Sequence, residues 1–379
     1  MKFLAIDIGT GTQDILVFDS RLNIENGFKI VVPSPTMIVH QKLLNAMKQR
    51  KNVLLTGYTM GGGPSRWAAE AHIRSGLKIF ATPDAALSFD DNLQVIEEIG
   101  IKVIGEEETK NIPANFEMIT LRDFDFQAIQ TSLTQFGVSL DHLAAIAIAV
   151  FDHGVAPGNI SDRQFRFEYI KKRIKEVNKL SGFAYRPEHI PDFLTRFKAV
   201  TNSAKDLPFP LLVMDTAPAA ILGSLLDSST QKRDRNLIIN FGNLHTLGFK
   251  LNRKGIEGVF EHHTGEISHN SIDRIIQRFA DGALTNREIF EDKGHGAIII
   301  DHTPYLLDQS DAVTVSGPRR SMMSQSKIKH HNAAPFGDMM ISGCFGLLSA
   351  LPDHYPEFSS PINEALYKGA ANKSAPWEL

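Results

Sequence analysis

Two α/β domains are predicted for this chain, and three features of the sequence predict them. Short β-rich runs alternate with helix-like stretches through the first third. A strand–turn–strand unit with a polar, glycine-bearing turn opens the chain and returns after a charged stretch past residue 227. The length of 379 residues also suits two domains, or one large one.

In chain order, residues 2–8 and 13–19 read as strands joined by Gly-Thr-Gly-Thr, 28–32 as a third strand and 36–49 as a helix. The runs at 52–57 and 77–82 flank a helical stretch near 65–75, the pattern of a βαβ unit. Gly57, Gly61, Gly62, Gly63 and Pro64 make a loop at the C-terminal end of the first of these strands, where open α/β sheets place their ligands. "LAAIAIAVF" (143–151) reads as a fully buried strand, and a charged helix follows at 167–180. The apolar segment 209–227 comes next, and the polar "SSTQKRDR" (228–235) is the candidate junction, giving domains 1–227 and 228–379. Past it, 236–251 repeats the opening design of strand, glycine-containing turn and strand. "GVFEHHTG" adds a third strand and 267–280 a helix.

Composition bounds the function. Hydrophobic residues make up 42% and charged residues 22%, as in ordinary globular proteins. A net charge of −3 leaves no global basic field, so nucleic acid is not an expected partner. The longest apolar run falls short of the roughly 20 residues of a membrane helix, and no leader-like segment opens the chain. The one cysteine, Cys344, allows no internal disulfide and no cysteine-held cluster, and a cytoplasmic location is the expectation. Fourteen histidines include pairs at 262–263 and 330–331. Adjacent histidines on a strand point to opposite faces, so neither pair makes a bidentate metal site by itself.

The first turn carries the chemistry. Glycines let backbone N–H groups line a concavity around phosphate oxygens, and threonine hydroxyls add neutral donors; a plain tight turn uses the same residues. No G-K-[ST] follows, so this is not a Walker loop, and the chain continues as a strand, so it is not a dinucleotide fingerprint. Asp7 ends an apolar strand, where a carboxylate is costly without a partner; a water-bridged Mg²⁺ on a nucleotide's phosphates is one such partner. The second turn, Asn240 to Thr246, again brings glycine, amide and hydroxyl groups to a strand end.

These segments resemble the actin-like ATPases, the superfamily of actin, Hsp70 chaperones, hexokinases and glycerol and sugar kinases. "AIDIGTGTQDILVFD" is similar to their first phosphate motif and "IINFGNLHT" to the second, with Asn240 where many members have aspartate. "VMDTAPAAILGSLLD" and "GDMMISGCFGLLSAL" resemble the two hinge-crossing segments, and "VTVSGPRRSMM" the turn that reaches adenosine. The resemblance covers nearly the whole chain. It implies a ribonuclease H-like fold in each of two domains, an interdomain nucleotide cleft, and ATP with Mg²⁺ as cofactors. Within the superfamily, "GGGP", "DHG", "SDRQFRF", "EHHTG" and "GHG" resemble an archaeal and bacterial family labelled pyruvate formate-lyase activating proteins. A radical-SAM reading of that label needs three cysteines, which this sequence lacks.

The resemblance implies roles for individual residues. Gly9, Thr10, Gly11, Thr12 and Gln13, with Asn240, Gly242, Asn243 and Thr246, are expected around the phosphates, and Ser316, Gly317 and Arg319 beside the adenosine. Asp7 and Asp215 are expected to direct the metal and the chemistry, Asp215 as the base for an acceptor hydroxyl or for water. A helix N-cap is the alternative for Asp215. Gly61, Gly62, Gly63, Arg66, Asp152, His153 and Arg163 are expected to bind a small-molecule acceptor. Gly223 and Gly343 are expected to let two helices cross closely at a hinge. The leading expectation is phosphotransfer to a small molecule; the alternatives are an ATP-driven switch acting on a protein partner, and a nucleotide-binding protein without turnover.

Overall fold

The computed structural model describes residues 1–158, 160–307, 313–368 and 374–378. Three sheets organise it. The first runs β3(Phe28–Pro33)–β2(Thr12–Asp19)–β1(Lys2–Ile8)–β8(Leu143–Val150)–β10(Leu211–Asp215)–β9(Ala184–Tyr185). Between β3 and β8 the chain makes a separate parallel sheet, β6(Ile101–Val103)–β5(Ile79–Ala81)–β4(Val53–Gly57)–β7(Glu117–Leu121). The last runs β14(Gly296–Ile299)–β13(Gly255–His263)–β12(His245–Asn252)–β11(Arg235–Phe241)–β15(Val313–Ser316)–β16(His330–Asn332).

The first and last sheets share one design. In each, three consecutive strands form an antiparallel meander, and two later strands add in parallel beside the first strand. That is the ribonuclease H-like arrangement, present twice, so the chain has the two-domain α/β fold of the actin-like ATPases.

Alternation along the strands sets the cores. Phe3 and Ala5 of β1, with Ala145, Ala147 and Ala149 of β8, face one side, where Cys344, Phe345, Leu347 and Leu348 of the helix Ser342–His354 cover them. The alanine stripe leaves room for a helix backbone to lie close to the sheet. Leu4, Ile6 and Ile8 face the other side, in a cluster that includes Phe167, Ile170 and Ile174 of the helix Asp162–Glu176 and Phe249 and Leu251 of β12. The second domain is thus packed onto the first through that helix. Full burial of each such Leu, Ile or Phe contributes roughly 1.5–3 kcal/mol. Ile272, Ile276 and Phe279 of the helix His269–Ala280 cover the far face of the last sheet.

Two sequence expectations change. The helix expected at 167–180 spans Asp162–Glu176, because the Ser161 hydroxyl accepts from the Gln164 N–H and starts it a turn earlier. The second domain, drawn as 228–379, does not keep its last helices. Ser342–His354 and Ser359–Tyr367 pack on the first sheet, with Phe358, Ile362 and Leu366 in the same core as Phe3 and Phe18. Apolar burial on the alanine stripe, not chain continuity, decides their place.

The helix Thr216–Ser224 and the helix Ser342–His354 cross at their glycines. A Cβ on Gly223 would sit 1.7 Å from the Ser342 carbonyl oxygen, and one on Gly346 1.9 Å from that of Ala219. A Cβ on Gly343 would lie 1.9 Å from Asp7 Oδ2, so the crossing also roofs the first phosphate turn.

Candidate functional site

The strands β1 and β2 are joined at Gly9–Gly11, and their ladder pairs Ile8 with Gln13 and Asp7 with Asp14. The turn is closed by the Gly9 N–H donating to the Thr12 carbonyl at 2.9 Å and fixed from outside by Ser34, whose hydroxyl donates to the Thr10 carbonyl at 2.5 Å. On the second domain, the Gly242 N–H donates to the His245 carbonyl at 2.9 Å and shapes the Gly242–Leu244 turn. The two turns meet: a Cβ on Gly11 would come within 2.5 Å of Asn243 Nδ2. Gly63, in the left-handed region at φ +57°, sits beside both, its Cβ position 3.9 Å from Thr10 and 3.7 Å from Leu244. The three loops enclose a cleft of about 450 Å³.

Asp7, Gly9, Thr10, Thr12, Gly61, Gly62, Gly63, Arg66, Asp152, His153, Asn240, Gly242, Asn243 and Gly317 line this cleft. Gly317, at φ +95°, is required there, since a Cβ would strike the Phe241 carbonyl at 2.4 Å. Arg319 is exposed beside it.

Other expected residues face elsewhere. Gln13 is buried and donates to the Pro33 carbonyl. Thr246 is buried against Thr264, and Ser316 lies under the cleft floor, where its hydroxyl meets the Asn240 amide and Ser224. Arg163 lies outside the acceptor region, donating to the Gly294 carbonyl at 2.8 Å and stacking on Phe290, because its helix packs on the second domain. Arg66 is engaged by Glu70, the Phe89 carbonyl and Asp90, and the neighbouring wall carries Asp90, Asp91 and Asp162. Such a wall repels an anionic acceptor. Asp152 is buried and caps the Gly154 and Phe197 N–H groups.

Asp215 is 4% exposed. Its Oδ1 accepts from the Ala217 N–H, so it is the N-cap of the helix Thr216–Ser224. Its Oδ2 accepts from Arg166 Nη1 at 2.8 Å. Arg166, itself 1% exposed, also donates to Glu261 Oε2 at 2.9 Å and lies 3.9 Å from the centre of the Phe151 ring. Burial opposes the guanidinium charge, but Asp215 and Glu261 hold it, and its pKa lies above the ordinary value. Arg166 and Asp215 belong to the first domain and Glu261 to β13 of the second, so this buried ion triad spans the domains.

The carboxylate opposite Asp7 is Asp14. Burial raises Asp7 to about 6, opposed by the Thr216 hydroxyl that donates to it at 2.5 Å. Burial and then Asp7 raise Asp14 to about 8, and Asp14 Oδ1 is buried without a hydrogen-bond partner. Among the described residues, no basic side chain offsets either carboxylate. Two acids at one strand pair, beside a glycine turn, fit a hydrated divalent cation. Asp14 was within reach of the sequence: a three-residue connection at 9–11 mirrors Asp7 onto it.

Histidines from both domains gather at the same cleft. His153 Nε2 lies 3.2 Å from His295 Nε2, and His245 stacks on Phe151 with ring centres 4.3 Å apart. Burial holds all three imidazoles below the ordinary histidine range, His295 down to about 2. His245, His295, Arg166 and Glu261 carry no spacing signal, since each comes from a different segment of the chain.

A family model described as "Putative pyruvate format-lyase activating enzyme (DUF1786)" matches residues 60–322. No curated protein matches the chain. Among solved structures, the chain is similar to the activator of the 2-hydroxyisocaproyl-CoA dehydratase from Clostridium difficile with bound ADPNP. That match has 9% identity and a TM-score of 0.34, covering 99% of this chain and 100% of that one. It is also similar to a ROK family transcriptional regulator, a homologue of the E. coli MLC protein, at 13% identity and TM-score 0.25. Here the match covers 67% of this chain and only 37% of the regulator. A ROK hexokinase from Thermus thermophilus matches at 13% identity and TM-score 0.23, over 68% of this chain and 48% of that one. Among the described residues, no helix is long and apolar enough to cross a membrane.

Proposed function

We propose that this chain, which belongs to the family whose model spans residues 60–322, is an ATP-hydrolysing switch, in which turnover in the cleft is read out as a change in domain position. The observation that carries this reading over small-molecule phosphotransfer is the state of Asp215. The carboxylate expected as the base for an acceptor hydroxyl or for water caps the Ala217 N–H, pairs with Arg166 and does not line the cleft; a loose, dissociative transfer to water needs a positioned nucleophile more than a strong base. Asp215 serves the domain junction instead.

Asp7 and Asp14 would hold Mg²⁺ through its waters, and the backbone N–H groups of Thr10 and Gly11 in the first turn and of Asn243 and Leu244 in the second would hold the phosphates. The unpartnered Asp14 oxygen, with no basic side chain offsetting either acid among the described residues, supports that fit. Mg²⁺ held there would supply charge neutralisation to the phosphates during transfer of the γ-phosphoryl group to water. Gly317, which lines the cleft, would lie beside the purine. Because the turns come from opposite domains, contact with one polyphosphate draws them together, and the Gly223–Gly346 crossing and the Arg166 triad transmit the movement. With its single buried cysteine, the chain carries no cysteine set for an iron–sulfur cluster. Any activation of a protein partner, as the family description suggests, would run through this closure.

One observation favours phosphotransfer as a second reading. The acidic pocket of Asp90, Asp91 and Asp162 adjoins the glycine loop Gly61–Gly63 and suits a neutral polyhydroxyl acceptor. Measuring ADP and inorganic phosphate together tests both. The switch produces them in equal amounts from Mg·ATP alone. ADP formed only when a sugar or polyol is added, without free phosphate, overturns the switch reading in favour of the second.

A further inference from the structure

The histidines of the cleft form a ligand set that the nucleotide chemistry does not use. His153 follows β8 in the first domain, His245 begins β12, and His295 precedes β14 between Gly294 and Gly296. One ring nitrogen from each lies within 4.8 Å of the other two. Nitrogen atoms bound tetrahedrally at roughly 2.0–2.1 Å from a zinc-like ion stand about 3.4 Å apart. The 3.2 Å separation of His153 and His295 already matches that spacing, and small imidazole rotations bring in His245.

We infer that His153, His245 and His295 bind one divalent transition-metal ion, of the Zn²⁺ or Fe²⁺ class, that bridges the two domains. The donor set supports this in three ways. Three imidazoles with no thiolate select a borderline transition ion over Mg²⁺ or Ca²⁺. His295 Nδ1 is buried without a hydrogen-bond partner, and it faces Glu261 Oε1 at 3.4 Å, which is also buried and unpartnered. A ligating imidazole that gives its other N–H to a carboxylate is the usual outer arrangement of a metal-bound histidine; with that proton on Nδ1, Nε2 is free for the ion. Lastly, Arg166 holds Glu261 from its other oxygen, so the orienting carboxylate is itself fixed.

Three protein ligands leave a coordination position open, the pattern of catalytic rather than purely structural sites. His153 and His245 line the cleft, so the open position faces it. It would take an oxygen donor, either water or the hydroxyl or carboxylate of a second small molecule bound beside the nucleotide. The ion would also tie His153 of one domain to His245 and His295 of the other, so its occupancy would bias the cleft towards closure.

The test is metal binding by the full chain without nucleotide, which keeps it separate from the ATP reading. Metal-free protein titrated with Zn²⁺ in a calorimeter should take up about one ion per chain, and with Co²⁺ should develop the intense visible bands of four- or five-coordinate nitrogen ligation. His153→Ala and His295→Ala should each weaken Zn²⁺ binding by on the order of 100-fold or more, whereas His189→Ala, at an exposed position, should not change it. Octahedral oxygen-type Co²⁺ spectra in the wild type would place any ion at the Asp7–Asp14 pair and overturn the inference. Unchanged affinity in both histidine variants would do the same and leave the cluster as aromatic packing only. The wild-type Co²⁺ spectrum decides the matter even where a variant fails to fold.

Discussion

Replacing Asp14 by asparagine tests the claim that the first hairpin is built for a cation. The side chain is 7% exposed, stands opposite Asp7 in the β1–β2 ladder and has an oxygen without a partner. Its pKa is raised from 3.8 to about 8, by burial first and Asp7 second. A raised acid binds its proton more tightly in the folded state, so folding keeps a proton that the unfolded chain has lost. Stability therefore falls as pH rises from about 4, where the unfolded group ionises, to about 8, and then levels off. A rise of this size corresponds to on the order of 5 kcal/mol at full ionisation. The asparagine side chain has the shape of the protonated acid and carries no such cost. The melting temperatures of Asp14→Asn and wild type should be close at pH 5 and diverge towards pH 9. At about 2 °C per kcal/mol for a chain of this size, the gap should reach roughly 10 °C, with the variant higher. Mg·ADP should reverse the order at pH 9, because only the wild type keeps the second carboxylate for the ion. Calorimetric scans at four pH values, with and without Mg·ADP, supply the data. A gap that stays constant from pH 5 to pH 9 would refute the idea of a buried, uncompensated acid pair.

Three further outcomes are expected. Arg166→Met strands Asp215 and Glu261 in the interior and should cost about 3–5 kcal/mol, read by denaturant unfolding at pH 7; adding Asp215→Asn and Glu261→Gln should recover most of it, and no recovery would mean that Arg166 acts through packing alone. Asp215→Asn should lower stability through the weakened Arg166 pair but keep ATP affinity and most turnover, since asparagine caps as well as aspartate; a loss of turnover of about 100-fold or more in the folded variant, with nucleotide-dependent compaction intact, would restore this residue as a catalytic base. Gly223→Val pushes side-chain bulk into the Ser342 backbone, so X-ray scattering should lose the nucleotide-dependent compaction, and an undiminished compaction would place the moving joint elsewhere.

The local units and their repetition were legible along the chain. Alternating apolar residues wrote β1 and β2, the Gly-Thr-Gly-Thr turn joined them, and the same pattern at 236–251 announced a second sheet. These signals are short-range, because strand periodicity and turn chemistry act within a few residues. For the same reason Asp7 was legible as a buried acid in need of a partner. What met at the cleft depended instead on the folded chain. Arg166 reads as one charge just ahead of a charged helix until β13 brings Glu261 to it and the first sheet brings Asp215. His153, His245 and His295 come from three separate segments, and no spacing rule joins them. The terminal helices went to the first sheet because an alanine stripe on β8 offered apolar surface that the last sheet, already covered by the helices His269–Ala280 and Asp162–Glu176, did not. Periodicity fixes which face of an element is apolar; which partner covers that face depends on shape and on contacts between residues far apart in the chain.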